Sequence, residues 1–258
     1  EALAKNSKKL KIEHLIRHDI VLSPPPPFNA PFQVETFLGD LSVTGEVEKL
    51  ISTRPDLIFH LAAVVSGEAE ANFEKGYAIN LDGTRNLLEA IRKQSGGYCP
   101  RVIFTSSIAV FGSPFPEAIG DEFLTAPLTS YGTQKAICEL LLSDYSRRGF
   151  LDGIALRMPT VCVRPGAPNK AASGFFSNII REPLVGKEAI LPVPTNVRHW
   201  HASPRSALGF LVHAATMDTN AIGPRRALSM PGLSVTVGEQ IAALDRVAGK
   251  NVTARIKR

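Results

Sequence analysis

Arg101-Val102-Ile103-Phe104-Thr105-Ser106-Ser107-Ile108-Ala109-Val110-Phe111-Gly112 begins as a compact apolar run and ends in a cluster of hydroxyl residues. A short apolar run bounded by turn residues is the pattern of a strand buried on both faces of a parallel sheet. Working outward, His14–Val21, Val34–Leu38, Leu57–Ala62 and Gly153–Met158 repeat that texture, and Arg101–Ser106 is the strand within the opening run. Between them Thr44–Thr53, Ala69–Lys93 and Ser130–Arg148 are longer and amphipathic, and read as helices, the first with Thr44 as its cap. The βαβα order predicts an α/β fold, a doubly wound parallel sheet with helices on both faces.

After Met158 the texture changes to segments punctuated by Pro and Gly, such as Arg164-Pro165-Gly166-Ala167-Pro168 and Leu191-Pro192-Val193-Pro194. This predicts a smaller C-terminal lobe, residues 159–258, appended to a main domain of residues 1–158. Two helix starts there are well marked: Ser203-Pro204 sets a capping serine before a proline at the first helical position, and Thr236-x-x-Glu239 is a capping box. The prolines Pro24–Pro27 follow a strand and read as a stiff surface loop. Both ends look cut: Glu1–Leu10 reads as the back half of a helix, and the chain stops at Arg258 with no closing helix.

With 258 residues and 44% hydrophobic content the chain can bury a substantial core. No apolar stretch approaches the roughly 20 residues needed to cross a bilayer, and no signal peptide is visible, so no membrane partner is expected. Cys99, Cys138 and Cys162 are far apart, with no C-x-x-C and no histidine completing a zinc set. No metal site is expected, and the sparse odd count suits a reducing, cytoplasmic setting. The net charge of +5 is dispersed, with only short clusters such as Lys8-Lys9 and Arg225-Arg226, so no nucleic acid is expected. Weak attraction of an anionic ligand is the better use of that charge.

Tyr131-Gly132-Thr133-Gln134-Lys135 carries the chemistry, because residues four apart on a helix share a face and bring a phenol to an ammonium. A free tyrosine has a pKa of about 10, so a base near pH 7 needs about three units, or roughly 4 kcal/mol. A cation about 4 Å away, at an effective dielectric near 20, supplies about that much. Ser107 lies where the carboxyl end of a parallel strand presents groups to a ligand, and its hydroxyl can polarise an oxygen being oxidised. Taken singly, the Tyr/Lys pair reads as surface polarity and the serine cluster as a plain turn more readily than as a site. His60 reads as a satisfied core histidine and Cys138 as a packing residue. His199, Trp200 and His201 read either as packing or as the lining of a carboxylate pocket.

Together and in order, His60-Leu61-Ala62-Ala63, Asn80-Leu81-Asp82-Gly83-Thr84, the Ser107 cluster and the Tyr131/Lys135 pair resemble the extended short-chain dehydrogenases, the epimerase/dehydratase family. The resemblance covers essentially the whole chain. It implies a Rossmann-like fold, NAD as cofactor and Ser107, Tyr131 and Lys135 as the catalytic residues. It also implies cofactor contacts from Asp19, Asp40, Leu41, Ala62, Ala63, Ser66, Asn80, Tyr131, Lys135, Pro159 and Thr160. Asp19, at a strand end, would sit on the ribose hydroxyls and repel a 2′-phosphate, favouring NAD over NADP. The departure is that no G-x-x-G-x-x-G occurs, and backbone amides of such a loop normally receive the pyrophosphate. The expectation is that this loop and its strand lie upstream of Glu1.

Leu61–Gly67, Arg157–Val161, Ser173-Gly174-Phe175-Phe176 and Arg198–Arg205 resemble the members of that family that oxidise four-carbon sugar acids. This implies a small sugar-acid substrate held by Ser66, Ser107, Asn169, Ser173, Arg198 and Arg205, with Arg198 foremost. Two other readings stay open: a nucleotide-sugar epimerase or dehydratase using the same triad, and a non-catalytic, cofactor-sensing regulator. Family likeness also implies a homodimer formed through the Ala69–Lys93 and Ser130–Arg148 helices.

Overall fold

The computed structural model describes residues 12–22, 24–25, 29–120 and 122–258, so the expected helix over Glu1–Leu10 and part of the proline run lie outside the described residues. Strand β1 (His14–Asp19) pairs in parallel with β2 (Gln33–Leu38), His14 opposite Gln33 and Asp19 opposite Leu38. Helix α1 (Glu46–Ile51) follows, and its cap is Gly45 rather than the expected Thr44. Gly45 sits at a φ of 92°, where a side chain is strained, and its N–H is received by the Glu48 carboxylate at 2.8 Å.

Strand β3 (Leu57–His60) stops two residues short of the expected end. The single helix expected over Ala69–Lys93 is broken into α2 (Ser66–Ala71), α3 (Phe73–Gly76), a π-helical segment over Tyr77–Asp82 and α4 (Gly83–Arg92). Asn72 makes the break: it leaves helical geometry and its side chain accepts the Lys75 N–H at 3.0 Å, the competition with the helix that asparagine favours. Strand β4 (Arg101–Ser107) leads to α5 (Ser130–Arg147), β5 (Asp152–Met158) and the two-residue β6 (Thr160–Val161).

Beyond these come α6 (Phe175–Leu184), β7 (Ala189–Ile190), β8 (Arg198–Ala202), α7 (Pro204–Thr216), β9 (Ala227–Ser229), β10 (Leu233–Thr236), α8 (Val237–Ala248), α9 (Lys250–Thr253) and β11 (Ile256–Lys257). Ser203 and Thr236 cap α7 and α8 as the sequence signals indicate, accepting the N–H groups of Ser206 and Glu239. A second sheet runs β10-β8-β6, and β11 pairs with β7.

The central sheet is parallel throughout, in the order β3-β4-β5-β9. Successive side chains of a strand point to opposite faces, and both faces here are buried. Val102 and Phe104 pack with Leu87, Leu88, Ile91 and Leu142 of α4 and α5. Ile103, Ile154 and Leu156 face the other way, against Phe210, Leu211 and Ala214 of α7. Each such side chain contributes about 1.5–3 kcal/mol on burial, so the two-sided core accounts for continuous apolar runs rather than alternating ones. This is the doubly wound α/β fold expected. Strand β9, although late in sequence, rejoins this sheet beside β5.

His60, the last residue of β3, is buried, bonds Thr84 through its Nε2 at 2.8 Å and stacks on Phe104. Burial first, then the nearby Lys135, push its pKa down to about 3. The unfolded chain would bind a proton there near pH 6.5, so between those values the unfolded state holds the extra proton and stability falls as pH falls. His60→Phe should therefore flatten the pH dependence of stability between pH 6 and 4 by about one proton, roughly 1.4 kcal/mol per pH unit, in denaturant titrations. An unchanged slope would contradict a neutral buried His60.

Candidate active site

At the carboxyl end of β4, Ser107 turns the chain: its Oγ accepts the Ala109 N–H at 3.1 Å and caps a short turn over Ile108–Val110. Helix α5 begins against that turn. Thr129 Oγ1 accepts the Gly132 N–H at 3.1 Å, and the Glu70 carboxylate accepts the Ser130 N–H at 3.0 Å. An acid at a helix N-terminus is favoured by the exposed amides and the helix dipole. Gly132 is required by closeness: a Cβ there would stand 2.1 Å from the Ala109 carbonyl oxygen. That approach brings the start of α5, with Tyr131, against the turn that follows Ser107.

One helical turn on, Lys135 is only 2% exposed. Its Nζ donates to the Thr105 carbonyl at 2.7 Å and lies 4.5 Å from the centre of the Phe104 ring and 5.6 Å from that of Tyr131. Burial pushes its pKa down to about 8. Burial raises the Tyr131 phenol above its ordinary range, opposed by the Ser107 hydrogen bond and by the charge of Arg164. The Lys135 ammonium is held on the Thr105 carbonyl and over the Phe104 face, within reach of the Tyr131 ring.

A further turn along α5, Glu139 is 4% exposed and receives both Nε and Nη2 of Arg157, the latter at 2.7 Å, together with the Ser106 hydroxyl. Arg157 also stands 5.0 Å over the Phe111 ring. This buried pair holds the ends of β4 and β5 to α5. Sequence reading missed it, although Glu139 lies four residues beyond Lys135 on the same helical face.

The other expected cofactor positions are spread over several elements: Asp19 and Asp40 at the ends of the two-stranded β1-β2 sheet, Ala62 and Ala63 after β3, Asn80 in the π-helical segment, Pro159 after β5 and Thr160 in β6. Asp19 ends β1, exposed, with its carboxylate on the Val21 N–H. Asp40 follows β2 and accepts the Ser42 N–H at 2.8 Å and hydroxyl at 2.7 Å, which hold its pKa below the ordinary carboxylate value. Leu41 turns its side chain into the core, and its carbonyl accepts the Asn86 side-chain amide at 3.0 Å. Ala62 and Ala63 lie in the loop after β3. Asn80 is buried and bonds Val64 N–H, Val64 carbonyl and Gln134 Oε1 at 2.8, 3.2 and 2.7 Å, so its side chain holds that loop. Pro159 is buried after β5, and Thr160 bonds His199 at 2.7 Å. The carboxylates of Asp19, at the end of β1, and Asp40, beyond β2, suit the ribose hydroxyls of a dinucleotide, the ligand that open parallel sheets receive at strand carboxyl ends.

On the substrate side, the start of α2 meets the loop between β6 and α6. Ser66 Oγ accepts the Ala172 N–H at 3.0 Å, and a Cβ on Gly67 would lie 2.3 Å from the Lys170 carbonyl. In that loop Asn169 Oδ1 accepts the Ala171 N–H at 3.1 Å and Arg164 Nη2 at 3.3 Å, and half-buried Ser173 precedes α6. Arg198 is exposed and engaged elsewhere, donating to the Ser234 carbonyl at 3.1 Å and pairing with Glu239 at 3.7 Å. Arg205 is exposed in the first turn of α7. Neither guanidinium is bonded to the group around Tyr131. His199 stacks on Phe176 with centroids 4.5 Å apart, and burial pushes its pKa down to about 4. His201 packs edge-on to the same ring.

A sequence model described as the NAD dependent epimerase/dehydratase family matches residues 5–203. A D-erythronate dehydrogenase of Cupriavidus necator is 51% identical over 87% of this chain and 68% of its own length. A D-erythronate dehydrogenase of Haemophilus influenzae is 43% identical over 99% of this chain and 79% of its own. The crystal structure of a nucleoside-diphosphate-sugar epimerase from Agrobacterium tumefaciens is 60% identical, with a TM-score of 0.90 over 100% of this chain and 79% of that one. The strand order, the convergence at the sheet's carboxyl edge and these matches lead to one assignment: the chain belongs to the NAD dependent epimerase/dehydratase family.

Proposed function

We propose that this protein oxidises a hydroxyl of a small sugar acid, D-erythronate, with Tyr131 as general base, Ser107 orienting the reacting oxygen and Lys135 holding the cofactor ribose. By its family it is an NAD-dependent oxidoreductase. The observation that carries the residue roles is the packing of the start of α5 against the end of β4, which sets Tyr131 and Lys135, 5.6 Å from Nζ to ring centre, beside the turn at Ser107. The substrate is carried by the likeness to the two D-erythronate dehydrogenases.

When bound, NAD supplies the acceptor for the substrate's hydride. Asp19 and Asp40 would receive the adenosine-side hydroxyls, and Ala62, Ala63, Asn80, Pro159 and Thr160 would shape the passage toward the reacting end. In this reading residues 1–158 carry most of the nucleotide site and residues 159–258 most of the substrate site, with β9 returning to the main sheet. The chain's own step is proton transfer: the Ser107 hydroxyl donates to the substrate oxygen, and Tyr131, as the phenolate, receives the hydroxyl proton and becomes the neutral phenol. Burial opposes the phenolate, so the cations around it, Arg164 now and Lys135 once its ammonium shifts from Thr105, set the pH at which Tyr131 acts.

We place the working protein in the cytoplasm as a homodimer, its exposed Phe73 and Leu140 lying on α3 and α5, within the stretches expected to form the interface. No helix among the described residues is long and apolar enough to cross a membrane. A second reading, a nucleotide-sugar epimerase, is favoured by the name of the Agrobacterium tumefaciens relative. NADH absorbance with D-erythronate, against conversion of UDP-glucose, separates the two. Turnover of D-erythronate is expected, and conversion of UDP-glucose alone would replace the proposal.

Tyr131→Phe should lower kcat by about 10²–10⁴-fold while leaving NAD affinity nearly unchanged, because it deletes the proton acceptor and little else. Lys135→Met should weaken both. Activity of Tyr131→Phe comparable with wild type would remove Tyr131 from the base role. Asp19→Ala should narrow the preference for NAD over NADP in kcat/KM, by relieving repulsion of a 2′-phosphate. A wild-type protein equally active with NADP would show that Asp19 does not face the ribose.

A further inference from the structure

Gln134 stands on α5 between Tyr131 and Lys135, fully buried and with no role in the proton transfer proposed above. Its Oε1 accepts Asn80 Nδ2 at 2.7 Å, and its Nε2 has no partner among the described residues. Burying an amide that is only half answered costs free energy, so the position needs a reason. Room for it is made at the end of α3, where a Cβ on Gly76 would stand 2.8 Å from Gln134 Nε2. Directly after Gly76 the chain widens into the π-helical Tyr77–Asp82, a departure from α geometry that is common at functional sites.

That segment carries Asn80. Its Oδ1 accepts the Val64 N–H at 2.8 Å and its Nδ2 donates to the Val64 carbonyl at 3.2 Å, so one amide answers both backbone groups of a residue that lies outside any strand. The same amide reversed would set donor against donor and acceptor against acceptor. The second Nδ2 hydrogen goes to Gln134 Oε1, an acceptor that only the NH2 end of Asn80 can meet. Gln134 therefore fixes the sense of the Asn80 amide, and through it the loop after β3. That loop holds Ala62 and Ala63 and delivers Ser66, whose Oγ accepts the Ala172 N–H at 3.0 Å. The Asn80 carbonyl is tied to α5 as well, receiving the Cys138 thiol at 3.3 Å. Gln134 and Cys138 form one row on α5, and Tyr131 and Lys135 form the neighbouring row.

We propose that Gln134 is a positioning residue for the cofactor: through the Asn80 amide it ties the loop after β3, which is expected to contact NAD, to the helix that carries Tyr131 and Lys135. The proposal rests on the dehydrogenase reading of the site. Gln134 touches neither substrate nor cofactor and acts through Asn80 and Val64. One helix then sets both the base and the loop beside the hydride acceptor. Their separation matters, since a misplacement of about 1 Å can cost about 10²-fold in rate. Val64 has no strand partner to hold it, so the side-chain route supplies what the sheet does not.

Amide hydrogen exchange of the full chain without cofactor reads the first link. Gln134→Met, close in size but without an acceptor, should speed exchange of the Val64 N–H by about tenfold, while Ile103 and Phe104 in β4 keep their protection. Titration with NAD should show a dissociation constant raised about tenfold, and KM for NAD should rise more than kcat falls. Adding Gln134→Met to Asn80→Ala should weaken NAD binding no further, because both act by one route. If Gln134→Met does not fold, the shorter Gln134→Asn, which withdraws the acceptor and keeps an amide, should give the same changes in exchange and affinity. Unchanged Val64 exchange or unchanged NAD affinity in the variant that folds overturns the role of Gln134, as does exchange that rises equally in β4. Additive losses overturn the route through Asn80. A wild type that binds NAD but does not turn over D-erythronate overturns the sugar-acid reading and leaves exchange and NAD affinity to decide the role of Gln134.

Discussion

Gly132 against the Ala109 carbonyl is the contact on which the site's geometry depends. With a Cβ position only 2.1 Å from that oxygen, any other residue would push the first turn of α5 away from the end of β4. Ser107 and Tyr131 would then separate, and the Lys135 ammonium would lose the Thr105 carbonyl. A hydroxyl from a strand end and a phenol from a helix start have no covalent reason to meet. They meet because glycine lets backbone approach backbone, while Thr129 and Glu70 satisfy the helix amides that the approach exposes.

The same closeness creates an electrostatic problem. Packing α5 onto β4 buries Lys135 and most of Tyr131, and burial disfavours the charged form of each, lowering the first pKa and raising the second. Behind them Glu139 and Arg157 are buried as well, but as a bidentate pair with the Ser106 hydroxyl filling a further acceptor site. A matched pair of this kind tolerates burial because each charge is compensated and hydrogen-bonded. The contrast divides the cluster: the compensated charges fix the helix to the sheet, and the uncompensated groups are left available for ligands.

Much of this was legible in the sequence, for physical reasons that also mark where legibility ends. Strands buried on both faces give continuous apolar runs, so β3, β4 and β5 could be placed to within a residue or two. The Ser203 and Thr236 caps follow from local hydrogen bonding alone, and the structure has both. Thr44 failed because a glycine with positive φ took the capping position, a choice that propensity does not reveal. The long helix failed at Asn72, where one side chain's bond to the backbone outweighs the amphipathic period around it. The internal bonds of Asn80 and the core packing of Leu41 could not be read from the sequence, because burial is a tertiary property that a motif does not carry.

Arg164 shows the same limit from the other side. Its sequence setting, a loop arginine before Pro165, resembles any solvated turn, whereas Arg198 sits in an aromatic, polar stretch that looks like a pocket. What distinguishes them is whether the charge is already answered. Arg198 finds Ser234 and Glu239 through the pairing of β8 with β10 and the start of α8, elements far apart in sequence. Among the described residues the Arg164 guanidinium bonds the amide oxygen of Asn169, five residues away. A neutral acceptor orients a guanidinium without cancelling its charge, whereas the Glu239 carboxylate answers that of Arg198, so which arginine is paired is decided by the elements that pack together and not by the local sequence.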